Sequence, residues 1–314
     1  MIVAITGGTG FIGRKLALRH LDSGDEVRVL SRHSRESSGL PDGVVWFCDD
    51  LAHPADLSAF VDGVDVLYHC AAENNDTGKM PDANVKGTRN LARAAIGRIR
   101  HWVQLSSVGV YGTHTDGEIT EETPMAPMNV YEESKAEAED IVIEAATGNN
   151  FSYSILRPSK VYGLGMTNNV LFKLMSLIDR RLFFFVGKPG ASANYIHVDD
   201  VVEALVRCGS MPAARGRTYN ISDFRTIEDF VAIISRALHR PVPHLRIPES
   251  WARVIAGMTA FIPGNPLTVQ RVDAMVKRAT YSSARIEAEL GYRHRVRMED
   301  GLRELVDHWK QKGK

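Results

Sequence analysis

The octapeptide TGGTGFIG, Thr6 to Gly13, constrains this chain more than any other stretch. It follows the apolar run Ile2–Ile5 and precedes an amphipathic pattern over Phe11–Ser23, so it reads as a strand-to-helix turn. Such a turn lets backbone approach a pyrophosphate, while the helix behind it offers N–H donors and the positive end of its dipole. Gly7 and Gly10 would permit the turn and the close approach, and Gly13 the packing of helix on strand. Phe11 and Ile12 open the helix. Glycine triplets also occur as plain tight turns. Here the flanking strand and helix supply the context of a dinucleotide site.

The alternation continues beyond this turn. Candidate strands are Ile2–Thr6, Glu26–Ser31, Val44–Phe47, Val64–His69, Trp102–Ser106 and Ser152–Arg157, with helical patterns at Phe11–Ser23, Ala55–Val61, Asn84–Ala95 and Val130–Ala146. Strands alternating with helices argue for a parallel sheet covered on both faces. After Pro158 the rhythm gives way to a Gly- and Asn-rich region, and helical patterns dominate from Ile227 onward. The expected fold is α/β: a Rossmann-type doubly wound parallel sheet in residues 1–164, then a smaller, mainly helical substrate lobe in 165–314. Strand-like Asn194–Val198 and Thr218–Ile221, within 194–222, are expected to return to the first domain.

Charge and cysteine usage narrow the partners. Lys+Arg and Asp+Glu are both 38, which gives no reason to expect nucleic acid or an anionic membrane. Cys48, Cys70 and Cys208 form no Cys-x-x-Cys pair, and two of them lie in apolar, strand-like runs. They read as buried reduced thiols, so neither a disulfide framework nor a metal site is expected. No apolar run approaches the roughly 18 residues of a membrane span. Met1 leads directly into Ile2–Ile5 with no room for a signal peptide, so the expected location is cytoplasmic.

Two later positions bear on the dinucleotide. The second strand ends in Ser31-Arg32, where an NAD enzyme usually carries an acidic residue for the ribose 2′-hydroxyl; Arg32 can instead pair with a 2′-phosphate. That leans toward NADP and leaves NAD open, since an arginine at a strand end can equally be solvated. Asp50-Leu51 follows the third strand, where a carboxylate can accept from the adenine amino group or simply stand in an acidic turn. Farther on, YEESK places Tyr131 and Lys135 one helical turn apart, on one face.

Taken in order, TGGTGFIG, Asp50-Leu51, HCAA (His69–Ala72), NVKGTRNL (Asn84–Leu91), SSVGVYG (Ser106–Gly112), YEESK, LRPSKVYG (Leu156–Gly163), YIHVDDV (Tyr195–Val201) and AELGY (Ala288–Tyr292) resemble a known family. It is the extended short-chain dehydrogenase/reductases of the NAD-dependent epimerase/dehydratase type, and the likeness spans nearly the whole chain. The resemblance implies that Ala71 belongs to the cofactor site and that Ser107, Tyr131 and Lys135 form the catalytic group. It also implies a homodimer through the helices at Asn84–Ala95 and Val130–Ala146. The chemistry agrees. Moving hydride at an alcohol carbon requires moving a proton at its oxygen, and a nearby ammonium and oxidised nicotinamide lower a tyrosine's pKa from about 10. Ser107 would bind the substrate oxygen, and Lys135 the ribose hydroxyls.

Related 4,6-dehydratases carry Asp-Glu directly after the catalytic Ser/Thr. Here Val108-Gly109 stand there, which argues against dehydration and leaves epimerisation, dehydrogenation and ketone reduction. Asn168-Asn169 resemble the Asn-Asn segment that contacts pyrophosphate in UDP-galactose 4-epimerase-like enzymes, although Asn168 can also be a helix cap. Lys160 stands where those enzymes have an Asn near the sugar. The arginine that many of them place before "HV" is missing, with Ala193-Asn194 near that position. Arg180, Arg181, Lys188, Lys277 and Arg278 are candidate replacements. Pro248–Gly264 is apolar and reads as lobe core or as a lid. The expectation is a nucleotide-sugar epimerase, as used in surface polysaccharide synthesis. The alternatives are a reductase or dehydrogenase of a 4-keto sugar or hydroxysteroid-like alcohol, and a redox-sensing binding protein.

Overall fold

A computed structural model describes residues 1–112, 114–148, 151–258 and 268–311. Strands β1 (Ile2–Thr6), β2 (Glu26–Ser31), β3 (Val44–Cys48), β4 (Val64–His69) and β5 (Ile99–Leu105) form where apolar, β-branched residues cluster. The short β6 (Glu118–Ile119) follows, then β7 (Ser152–Pro158), β8 (Lys160–Tyr162), β9 (Phe185–Val186), β10 (Ser192–His197) and β11 (Arg217–Ile221). A parallel seven-stranded sheet runs β11-β7-β5-β4-β1-β2-β3. Its strand order reverses beside β1, and such a switch point opens a crevice at the carboxyl ends of the strands.

Successive residues of β1 face opposite cores, as strand geometry requires. Val3 and Ile5 join α1 (Phe11–Asp22) on one face. Ala4 joins α2 (Ser58–Val61), α3 (Gly87–Ala95) and α4 (Val130–Ala146) on the other. Two helical patterns come out differently from the sequence expectation. Ala55–Val61 is helical only from Ser58, because the Asp49 carboxylate takes the N–H of Ala55 (3.0 Å) and Asp56 that of Ser58 (2.8 Å). Asn84–Ala95 begins inside a π-helical turn, Pro81–Lys86, that runs into α3.

The second half departs further. The strand-like stretch Asn194–Val198 forms β10, which pairs in parallel with β8 and antiparallel with β12 (Asp223–Thr226) in a separate three-stranded sheet. Only β11 joins the large sheet at its edge, and α6 (Val198–Ser210), after α5 (Val170–Asp179), packs beside α1 on its face. The lobe core gathers α5, α7 (Ile227–Leu238) and, at the end of the chain, α11 (Met298–Gln311). The short β13 (Arg246–Ile247) and β14 (Thr280–Tyr281) pair with β9 and β6. Between these strands, α8 (Glu249–Met258) packs on α9 (Val269–Val276). A second return was not anticipated: Ile286 and Leu290 of α10 (Ala284–Leu290), with Tyr292, are fully buried in the core under the large sheet. Amphipathic pattern shows that a helix has an apolar face, but not which core will bury it.

Cys48 corrects a sequence expectation. It is exposed at the end of β3, whereas Cys208 is buried, and all three thiols are free. Among the described residues no helix is long and apolar enough to cross a membrane, and no cluster of metal-ligating side chains forms.

Candidate active site

Gly7 leaves β1 with φ +67°, and a Cβ on it would fall 2.7 Å from the Ala71 nitrogen. Only glycine lets the turn lie this close to the end of β4. Gly10 donates its N–H to the Gly7 carbonyl at 2.9 Å, and a Cβ at Gly13 would sit 2.2 Å from that same oxygen. No side chain caps α1 and no acidic residue occupies its first turn, which leaves the helix start suited to an anion. A cleft of about 300 Å³ opens in front, lined by Gly7, Gly10, Arg32, Asp50, Leu51 and Ala71 among the predicted residues, with Cys70, Glu73 and Ala83 beside them. Phe11, Ile12 and Gly13 lie behind it in the first turn, Ile12 against the core.

Arg32 is exposed at the lip of this cleft. Asp50 spends one carboxylate oxygen on the Ala52 N–H (3.0 Å), and Asn90 holds the Leu51 carbonyl (2.9 Å). The floor is tied by a chain through His69. Ala71 N–H donates to the Thr6 hydroxyl (3.2 Å), which contacts His69 Nδ1 at 2.6 Å, and His69 Nε2 meets Thr88 Oγ1 at 2.9 Å. Thr88 gives its own proton to the Asn84 carbonyl, so Nε2 must be the protonated nitrogen. Burial pushes the His69 pKa down to about 3, so the ring is neutral. Asn84 also donates to the Ser134 hydroxyl (2.9 Å), which donates to the Tyr131 carbonyl (2.8 Å), coupling the cleft to α4. Sequence reasoning passed over Asn84 and Ser134 because neither carries reactive chemistry.

Ser107, Tyr131 and Lys135 come together at the carboxyl end of β5. Ser107 caps the tight turn Val108–Tyr111 by accepting the Gly109 N–H (3.0 Å), and its side chain acts on the Tyr131 phenol, favouring the phenolate. Asn129 caps α4 by accepting the Glu132 N–H (3.1 Å). Lys135, one turn along, is 4% exposed and donates to the Leu105 carbonyl. Burial lowers its pKa to about 8, against an upward pull from Glu139. Burial raises the phenol above its ordinary value, Ser107 only partly offsets this, and Glu132 raises it further. The Lys135 ammonium is directed at the end of β5.

Glu132 is half-buried; it accepts the Met128 N–H (2.8 Å) and lies against Gly109. Its charge reaches Lys277, which donates to the Tyr281 hydroxyl at 3.2 Å; Tyr281 stacks on Tyr111 at 6.2 Å. Lys160 holds its ammonium 5.5 Å from the centre of the Tyr195 ring. Asn168, just before α5, accepts the Val170 N–H (2.8 Å), while Asn169, exposed at the N-cap, makes no side-chain cap. Asn194 donates to the Ala279 carbonyl (2.8 Å), and Arg278 to the carbonyls of Lys188 and Pro189 (3.1 and 2.7 Å). Arg180, Arg181 and Lys188 stay on the surface. In α8, Ala252 and Ala256 are buried while Trp251 and Met258 are each 68% exposed, so this helix has both an inner and an apolar outer face. The remainder of Pro248–Gly264, from 259, lies outside the described residues.

The model of the NAD dependent epimerase/dehydratase family matches residues 3–222. Short-chain dehydrogenase/reductase family 42E member 1 of Mus musculus is 28% identical over 351 residues, covering 99% of this chain and 88% of that protein. UDP-glucose 4-epimerase of Vibrio cholerae is 27% identical over 261 residues, 78% of each. Among solved structures, UDP-glucuronic acid 4-epimerase from Bacillus cereus in complex with NAD superposes with a TM-score of 0.78 at 20% identity, over 100% of both chains; at that identity the likeness is one of fold.

Proposed function

The chain belongs to the NAD dependent epimerase/dehydratase family, and from that premise we propose that it is a nucleotide-sugar epimerase working by reversible hydride transfer. The observation carrying this reading is the gathering of Ser107, Tyr131 and buried Lys135 at the carboxyl end of β5, beside a glycine-walled nucleotide cleft. These residues fit a nicotinamide dinucleotide, which supplies the hydride acceptor and donor when bound. Ser107 holds the substrate oxygen. Tyr131 moves the proton at that oxygen. Lys135 contributes the positive charge that a phenolate needs. Val108 is buried and Gly109 has no side chain, so neither supplies the acid of a dehydratase. Lys160 and Lys277 give the substrate side a cationic character suited to a diphosphate.

Incubating the protein with a panel of UDP-hexoses and following the sugars by NMR is expected to show interconversion without accumulation of reduced nicotinamide. Failure to turn over any nucleotide sugar would sink the epimerase reading. A second reading is net ketone reduction. It is favoured by the raised phenol pKa of Tyr131, which keeps a proton ready to give, and by the exposed apolar face of α8, which suits a steroid-like substrate. Its sign would be stoichiometric consumption of the reduced cofactor.

For the cofactor we favour NADP, because Arg32 stands at the cleft lip without a carboxylate at the end of β2. NADPH is expected to bind more tightly than NADH, and Arg32→Glu to reverse that preference by about tenfold or more, roughly 1.4 kcal/mol. Fluorescence titration of both cofactors measures this. Tighter binding of NADH by the native protein would return the preference to NAD, and an unchanged ratio in the variant would show that Arg32 does not set it.

A further inference from the structure

Lys135 holds an ammonium in a place that opposes charge, and its surroundings contain one formal anion among the described residues. From β5 it meets only the neutral Leu105 carbonyl. From the end of β4 it faces His69, neutral above about pH 3, and Cys70, whose thiol burial pushes up to about 12. On its own helix, one turn farther along the same face, the charge of Glu139 reaches it. Glu139 is fully buried.

Its carboxylate is also firmly held. Arg157 of β7, 6% exposed, donates from Nε to Oε1 (2.9 Å) and from Nη2 to Oε2 (2.5 Å). Nη1 donates to the Tyr111 hydroxyl (2.7 Å), which donates to Asn220 Oδ1 of β11 (2.9 Å). Arg157 thus joins the helix carrying Tyr131 and Lys135 to the turn that Ser107 caps.

We propose that Glu139 is the internal counter-ion that keeps Lys135 charged, and that Arg157, braced by Tyr111 and Asn220, holds Glu139 in that place. Both are positioning residues. Their functional meaning rests on the role proposed above for Lys135, but the test does not use turnover. A bland alternative exists: a buried Arg–Glu pair can serve simply as a tie between helix and sheet.

The two are separated by titrating the lysines by NMR in protein labelled with carbon-13 at Cε, the Lys135 signal being identified by its loss in Lys135→Met. In Glu139→Gln the Lys135 midpoint is expected to fall by about one pH unit or more, a tenfold loss of proton affinity. In Glu139→Asp it is expected to stay near the native value. Because Glu139→Gln leaves Arg157 unpaired, the double variant Glu139→Gln/Arg157→Met provides the same reading if the single one does not fold. A lowered thermal midpoint with the Lys135 titration unmoved would overturn the proposal and leave the pair a structural tie.

Discussion

Tyr131→Phe is expected to reduce turnover by about 10²–10⁴-fold, the usual worth of a positioned proton donor or acceptor, while cofactor affinity and thermal midpoint stay near native. The substitution removes one hydroxyl and keeps the ring. Ser107 loses one partner but still accepts the Gly109 N–H, so the turn it caps should persist. The half-buried phenol has its pKa raised by burial, so removing it also relieves a desolvated polar group. The measurement is kcat on whichever nucleotide sugar the native protein interconverts, with cofactor titration as the control. Retention of native turnover would remove Tyr131 from the reaction and revive a sensor that keeps the cofactor site without catalysis.

Lys135→Met is expected to do two opposite things: abolish most of the activity and stabilise the fold at neutral pH. The native Lys135 pKa is lowered from 10.5 to about 8. Tenfold in proton affinity corresponds to about 1.4 kcal/mol, so holding the charged amine inside costs on the order of 3 kcal/mol below pH 8. Losing the hydrogen bond to the Leu105 carbonyl gives back about 1 kcal/mol. A net gain of about 2 kcal/mol is therefore expected for the methionine variant at pH 7. The pH dependence has a definite sign. Between about 8 and 10.5 the unfolded chain binds the proton that the folded protein has released, so native stability rises with pH across that window. The advantage of Lys135→Met should shrink over the same range. Denaturant unfolding of both proteins at several pH values checks this. A variant less stable than native at pH 7, or a gap independent of pH, would show that Lys135 is not held charged against burial. Such a residue, which costs stability where it sits, fits a position kept for chemistry rather than for packing.

The nucleotide cleft was legible because its parts are local or tied to strand ends. TGGTGFIG is contiguous, and Arg32, Asp50 and Ala71 each follow a strand whose apolar run is plain, so knowing the strands locates the residues. The substrate side was less legible. Lys277 and Tyr281 lie far along the chain from Glu132 and Tyr111, yet contact or face them here. No spacing in the sequence connects them. Glu132 shows the same limit: a glutamate in a helix's first turn is usually solvated, and the contacts that half-bury it come from Gly109 and Met128.

The same division runs through the whole fold. Period-two and helical patterning determined the strands and helices of the large sheet, its parallel character, the glycine turn and the single helical face shared by Tyr131 and Lys135, because all of these depend on neighbours within a few residues. Tertiary structure alone decided that β10 pairs with β8 rather than with the large sheet, that α10 returns beneath it, and that Arg157 reaches Glu139. It also decided the charge states, since the pKa values of His69, Tyr131 and Lys135 are set mainly by burial, and burial is a property of the packed molecule.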